Sequence, residues 1–295
     1  MVCEHIRTRG QHPVRIFIKV EPHTLSKAKE GRWRLISGVS LVEQIIDHML
    51  WDHLLEKQND NPLSTPIRAG WTWIKGGWRM VDPDACAYDM SSWDWTVPMW
   101  LIEDCWDLMK ELTLTDDVVW NDIVDWRFDS LFRRCIFQLS DGSQVKQLNQ
   151  GIVKSGTVVT LAANSLMQVL LHAVTAFQLG NKPPSFQVIG DDYSGEELSE
   201  EHLRYVSQWV TLKRGEDGEF CSNLFREGKV EPTRFGKHLF ILACSKPVNR
   251  PDVCRCIQIV YARSSRLPAI RRIVSRICPG SLLSKSELKR IFDGE

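Results

Sequence analysis

The chain opens on an apolar/polar alternation. From Pro13 it reads Val-Arg-Ile-Phe-Ile-Lys-Val-Glu-Pro, whose period of two predicts a strand through Lys19, ended by Glu21-Pro22. The period then changes. Ser40 stands as an N-cap before a helix in which Leu41, Ile45 and Met49 recur at i, i+4 and i+8 and form one apolar face. Residues 51–84 are turn-rich, with Asn59-Asp60-Asn61-Pro62 and Gly76-Gly77. Trp71, Trp73 and Trp78 interleave there with Lys75 and Arg79, a mixture that stacks bases in some proteins and here reads first as core packing.

A short strand, Ala85-Cys86-Ala87-Tyr88, ends on Asp89. Helical spacing follows over 98–112, with Pro98 in the first turn, and again over 115–134, with Val119, Ile123, Trp126 and Leu131 inward. Residues 136–139 and 144–148 flank Asp141-Gly142 as a hairpin. Residues 151–156 (Gly-Ile-Val-Lys-Ser-Gly) read as a flexible loop. The helix after it, 157–179, contains no charged residue, so a membrane span is the competing reading. Thr160, Asn164, Gln168 and His172 recur every four residues, however, and give it one polar stripe suited to a buried helix beside a site. Residues 199–210 form an amphipathic helix with Leu203, Val206 and Val210 inward, 210–213 a strand, and 269–277 a basic helix.

Composition changes this picture little; charge distribution changes it more. At 43% hydrophobic and 25% charged residues, the 295-residue chain has the make-up of one large or two ordinary globular domains. Its net charge is zero, yet residues 1–34 carry +5, residues 226–295 carry +9 and the middle −14. Basic ends around an acidic centre suit a protein that grips polyanions and keeps carboxylates for metal. The nine cysteines are odd in number and scattered, with no secretory signal, and read as reduced thiols. Cys254-x-Cys256, flanked by Cys244 and Cys278, fits no common zinc spacing.

The candidate chemistry centres on Val188-Ile189-Gly190-Asp191-Asp192-Tyr193. A strand runs into a glycine that permits a tight turn, and two adjacent carboxylates follow. Adjacent carboxylates repel, and the simplest counter-charge is a divalent metal. Asp89, at the end of another strand, could share it, whereas Asp94, in the spacing Asp-x4-Asp, lies too far along the chain to be taken as a second ligand and reads as a helix-start residue or a polar contact to substrate. Lys19, Lys27, Lys29, Arg32 and Arg34 put cations on extended chain, where they could line a channel for a triphosphate.

Four patterns thus occur in one order: Lys19-Val-Glu21-Pro22 with Arg32-Trp-Arg34-Leu-Ile, Asp89-x4-Asp94, Ser155-Gly156-x3-Thr160-x3-Asn164, and Gly190-Asp191-Asp192. That order resembles the RNA-dependent RNA polymerases of positive-strand RNA viruses. Gly31-Arg32-Trp-Arg34-Leu35-Ile36, Ser40-Leu41, Asn164-Ser165 and Phe220-Cys221-Ser222 look most like their sobemovirus and luteovirus-related branch. The resemblance covers roughly residues 12–240 and implies an α+β right-hand fold with a ferredoxin-like palm sheet. Fingers would occupy 1–84, the palm 85–218 with a fingers insertion at about 100–150, and the primer-grip hairpin and thumb 219–295.

The resemblance also implies roles. Asp89 and Asp191 would hold two Mg²⁺ (or Mn²⁺) ions, with Asp192 contributing. Lys19, Arg32 and Arg34 would line the nucleotide channel. Asp94, Ser155, Gly156, Thr160 and Asn164 would bind the nucleotide at its ribose, Phe220-Cys221-Ser222 would grip the primer, and Lys213 would protonate pyrophosphate. The implied partners are RNA template, nascent RNA, ribonucleoside triphosphates and other viral replication proteins. The implied location is the host cytoplasm, including replication complexes held at membranes through partners. Two departures stand out: the chain begins almost at the basic segment, so the N-terminal part of the fingers is expected to be missing, and Tyr193-Ser194 replaces the Cys-Val-Glu expected after the turn. A reverse transcriptase and a non-catalytic RNA-binding remnant are the rival readings.

Overall fold

The computed structural model describes residues 1–294. It is a mixed protein of helices and several separate sheets, as an α+β chain should be. Two compact units are each assembled from discontinuous segments. One comprises Met1–Gly70, Met90–Asp191 and Leu198–Lys213; the other comprises Trp71–Asp89, Asp192–Glu197 and Arg214–Glu295.

In the first unit, the predicted first strand is Val14–Ile18. It pairs antiparallel with Leu35–Gly38 (Ile16 opposite Ser37) and parallel with Ile136–Gln138, which returns through Gly142 as the expected hairpin to Gln144–Lys146. Val14, Val39 and Cys135 form the small core beneath this sheet. Between the first two strands, Lys27 and Lys29 lie on a short helix, Leu25–Lys29, capped by Thr24, rather than on extended chain.

Ser40 caps the helix Leu41–Asp60 as expected, accepting from the Glu43 amide. The buried face of that helix is not the predicted one. Leu41, Ile45 and Met49 are exposed, while Val42, Glu43, Ile46, Asp47, Leu50 and Trp51 face inward. The reason is Arg127, fully buried, whose guanidinium grips Asp47 through two bonds (Nε to Oδ1 2.7 Å, Nη2 to Oδ2 3.0 Å) and lies 3.4 Å from Glu43. Paired and hydrogen-bonded, two carboxylates sit where an apolar-face rule would forbid them.

The single helix expected over 115–134 is Val118–Phe128, capped by Asp117, and loosens into a π-turn at Asp129–Arg133. Trp126 and Leu131 are buried as predicted, and Val119 is exposed. The uncharged helix spans Thr160–Gln178. It is long and apolar enough to cross a membrane by length and composition, and 61% of it is buried inside the protein.

In the second unit, Cys86–Asp89 pairs antiparallel with Asp192–Gly195, placing Tyr88 opposite Tyr193 and Asp89 opposite Asp192. The Tyr193 departure is absorbed here: its ring meets Tyr88 edge-on at 5.4 Å and its hydroxyl donates to the Glu196 carbonyl. Glu219–Phe220, Asn223–Arg226 and Lys229–Pro232 form a three-stranded antiparallel sheet. Helices Phe235–Ala243, Arg250–Val260 and Leu267–Ile277 pack around Leu242, Cys254, Ile257, Tyr261, Ile270 and Val274. Cys254 therefore belongs to an apolar core, and all nine cysteines are free thiols. The last helix, Lys285–Asp293, starts with a capping box and ends on a buried carboxylate, Asp293, which takes two bonds from Arg263 and one from Trp78.

Candidate active site

The polar stripe of Thr160–Gln178 organises the candidate residues of the first unit. Asn164 Nδ2 donates to Asp94 Oδ1 at 3.0 Å, joining two of the predicted nucleotide contacts. Asn164 Oδ1 is buried without a hydrogen-bond partner among the described residues. Burial is the largest influence on the Asp94 carboxyl and raises its pKa. The Asn164 bond opposes that shift, Asp191 adds to it by like-charge repulsion, and Arg34 opposes it. Asn164, Asp191 and Arg34 thus all act on the Asp94 carboxyl.

One residue further along the helix, Ser165 faces the turn before Asp191. The Gly190 amide donates to Ser165 Oγ at 2.8 Å, and Gln168 Nε2 donates to the Gly190 carbonyl at 2.9 Å. Gly190 adopts φ +64°, so the turn needs the glycine predicted there. At the far end of the stripe, His172 Nδ1 meets His202 Nε2 at 2.9 Å. Burial, and secondarily the His202 charge, press the pKa of His172 down to about 3.

The Ser-Gly loop is pinned rather than flexible. Lys154, fully buried, donates to Gln147 Oε1 (2.6 Å), the Ile152 carbonyl (2.8 Å) and the Gly151 carbonyl (3.1 Å). Burial without a neighbouring carboxylate lowers its pKa to about 8. Ser155 Oγ accepts from the Ser37 amide, and a Cβ on Gly156 would lie 2.1 Å from the Ser37 carbonyl oxygen. Only glycine fits where the loop crosses that strand. The Thr160 hydroxyl is bonded within the same loop, to the Lys154 and Thr157 carbonyls.

Among the predicted cations, Lys19 and Arg34 converge on one carboxylate, Glu21, at 3.5 and 3.2 Å, while Arg32 pairs with Glu30. Glu21 was assigned no role from sequence. Its signal was its place two residues after Lys19, in the connection between two strands whose adjoining ends are flanked by Lys19 and Arg34. Ser165, Gln168 and Lys154 were also missed as site residues, although all three lie within the motifs or stripe already identified.

In the second unit, Asp89 is exposed and Asp192 half-buried, directly opposite each other. Asp191, the last residue of the first unit's middle segment, immediately precedes Asp192 in the chain. Phe220 is buried, and Cys221-Ser222 form the two-residue turn of the hairpin that follows, with φ of 50° and 57°. Lys213, the last residue of the first unit, lies exposed on the strand Leu212–Arg214.

The chain as a whole has relatives among known proteins. A family model described as viral RNA-dependent RNA polymerase matches residues 7–193. The replicase polyprotein P2AB of Southern bean mosaic virus is 31% identical over 248 residues, 77% of this chain and 25% of that protein. Protein P1-P2 of Pea enation mosaic virus-1 is 29% identical, covering 74% of this chain and 20% of the relative. P2AB of Cocksfoot mottle virus is 29% identical over 90% of this chain and 29% of its own length. The chain thus spans about a fifth to three-tenths of the length of these relatives. With the family match covering well over half of its residues, and with relatives in the branch its motifs resemble, the chain belongs to the viral RNA-dependent RNA polymerases.

Proposed function

We propose that this chain carries the nucleotidyl-transfer centre of a template-directed RNA polymerase. The observation that bears most weight is the Asn164–Asp94 hydrogen bond beside Asp191, with Asn164 Oδ1 left buried and unpartnered. A buried acceptor of that kind lacks only a donor, and a ribose hydroxyl supplies one. A site built to hydrogen-bond a hydroxyl rejects the analogue lacking it by up to roughly 10⁴–10⁵-fold.

Polymerases of this family use divalent metal ions. The donor set here fits Mg²⁺: hard carboxylate oxygens, with Asp89 and Asp192 held directly opposite, where like charges disfavour one another unless neutralised. Asp89 and Asp191 would be the principal ligands, with Asp192 beside them. When bound, two such ions lower the pKa of the attacking 3′-hydroxyl and neutralise charge on the triphosphate and departing pyrophosphate. Lys19 and Arg34, oriented by Glu21, and Arg32 would draw the triphosphate in. Asp94 and Asn164 would orient the ribose, Ser155 and Gly156 would form the loop beneath it, and Thr160 would brace that loop through its hydroxyl. The Phe220-Cys221-Ser222 hairpin would seat the primer terminus, and Lys213 would protonate the leaving pyrophosphate. In this reading residues 1–84 contribute fingers, 85–218 the palm and 219–295 the primer grip and thumb. RNA, ribonucleoside triphosphates and other viral replication proteins are the partners, and the host cytoplasm is the setting.

The test is incorporation of labelled ribonucleotides on an RNA template with Mg²⁺. Asp191→Ala should abolish it; activity that survives this change would overturn the metal assignment.

A further inference from the structure

We propose that Ser165 and Gln168 are positioning residues that fix the direction of the Asp191 carboxylate through both peptide groups flanking Gly190. The inference rests on the polymerase reading above and assigns that site two residues that touch neither metal nor nucleotide.

Glycine is the least restrained residue in the chain, and Gly190 stands immediately before the main proposed ligand. Its φ sets one peptide plane against the other, and ψ sets where Asp191 starts. Both planes are held from the same helix. The Ile189–Gly190 peptide donates its amide to Ser165 Oγ at 2.8 Å, and the Gly190–Asp191 peptide accepts from Gln168 Nε2 at 2.9 Å. With one bond on each side, neither torsion of Gly190 turns without breaking a buried hydrogen bond.

The holding groups are themselves fixed. Ser165 and Gln168 are both fully buried. The Ser165 hydroxyl donates its proton to the Leu161 carbonyl at 2.8 Å, which leaves its lone pairs for the Gly190 amide. Spacing does the rest: residues 165 and 168 lie three apart on one helix face, next to Asn164, which holds Asp94. One rigid helix therefore carries both the ribose contact and the clamp on the metal-ligand turn. Preorganisation of this kind has a catalytic return, because partners that orient a ligand typically change metal affinity or activity by about 10–100-fold when removed.

Ser165→Ala leaves the Gly190 amide without an acceptor, and Gln168→Met leaves the Gly190 carbonyl without its donor. Gln168→Met also deletes Oε1, an acceptor buried without a partner, so its cost in folding is the smaller of the two. Both variants are assayed by ribonucleotide incorporation across a Mg²⁺ titration, with thermal melts on the same samples. The expected result is a kcat lower by about 10–100-fold, an unchanged KM for nucleotide and a raised half-saturating Mg²⁺ concentration. Ser165→Thr, which keeps the hydroxyl, should restore the Mg²⁺ requirement. Variants that melt like the wild type and keep both kcat and Mg²⁺ dependence overturn the proposal. Should either variant fold poorly, hydrogen exchange of the wild-type Gly190 amide decides: slow exchange supports the clamp and fast exchange removes it. A wild-type chain that folds but incorporates nothing would instead refute the polymerase reading, with the exchange result still reporting on the clamp.

Discussion

Asp89 stands directly opposite Asp192 across an antiparallel strand pair, with Asp191 adjoining it in the chain. Like charges at directly opposed positions are unfavourable by roughly 0.2–1 kcal/mol, and a bound cation reverses the sign. Asp89→Asn is therefore expected to stabilise the protein slightly in EDTA and to lose stabilisation by Mg²⁺. The wild type should gain about 1.4 kcal/mol when Mg²⁺ stands at ten times its dissociation constant. Urea unfolding of both proteins in EDTA and in Mg²⁺ checks this; a wild type indifferent to Mg²⁺ would show that the carboxylates hold no ion.

Gly156 fixes the Ser-Gly loop against the strand Leu35–Gly38, since a Cβ there would lie 2.1 Å from the Ser37 carbonyl oxygen. Gly156→Ala must push the backbone of one segment away from the other. The expected cost is about 1–3 kcal/mol, with a raised KM for nucleotide because Ser155 moves with the loop. Denaturant unfolding and steady-state incorporation read the two effects separately.

Arg127 lies fully buried among Asp47, Glu43 and Ser130. Arg127→Met strands buried carboxylates and should cost about 3–5 kcal/mol. Adding Asp47→Leu removes one stranded carboxylate and should recover part of that loss. A double variant no more stable than Arg127→Met in urea would show that the guanidinium acts by packing alone.

These sites differ in how far a local rule of sequence reaches them. Gly190, Asp89, Asn164 and the polar stripe of Thr160–Gln178 were legible because each rests on a local rule: a turn that needs positive φ, a strand-end carboxylate, a four-residue period. The buried face of Leu41–Asp60 was not legible. Its apolar side was read from Leu41, Ile45 and Met49, and the partner that draws Glu43 and Asp47 inward, Arg127, is 80 residues beyond Asp47. The Lys154 pin was missed for the same reason. A lysine in a Ser-Gly loop reads as solvated until Gln147 and two carbonyls are seen around its ammonium.

His172 and His202 give the fold a dependence on pH. Buried in the native state, His172 has its pKa pressed down to about 3, and His202 is lowered as well, in each case chiefly by burial. In the unfolded chain both imidazoles take protons near pH 6.5. The contribution of His172 is thus complete above that pH, shrinks as the unfolded state protonates below it, and is lost as pH falls toward 3. From pH 7 to pH 5 it amounts to about 2 kcal/mol. Urea unfolding at the two pH values should show this difference between the wild type and His172→Gln, whose stability should fall less; equal slopes would mean that native His172 takes up its proton as readily as the unfolded chain does.

Cys221 and Ser222 form the two-residue turn between Glu219–Phe220 and Asn223–Arg226, and both take φ values near +50°. Two-residue hairpins with positive φ at both positions favour Asn-Gly, because an L side chain pays roughly 1–2 kcal/mol for the left-handed region. Thr233 helps to sustain that cost, its amide and hydroxyl both donating to the Ser222 carbonyl at 3.0 Å. Phe220 is buried against Trp71 (5.5 Å), and Asn223 Nδ2 donates to the Cys221 carbonyl, so the turn is held from both sides. Strain that neighbours sustain is characteristic of positions where the side chain itself matters. Ser222→Gly should therefore raise stability by up to about 1 kcal/mol while lowering incorporation from a primed template. Thermal melts and primer-extension rates on one preparation test the pair of outcomes. A variant both more stable and fully active would assign the strain to the fold alone and take Ser222 out of the primer contact.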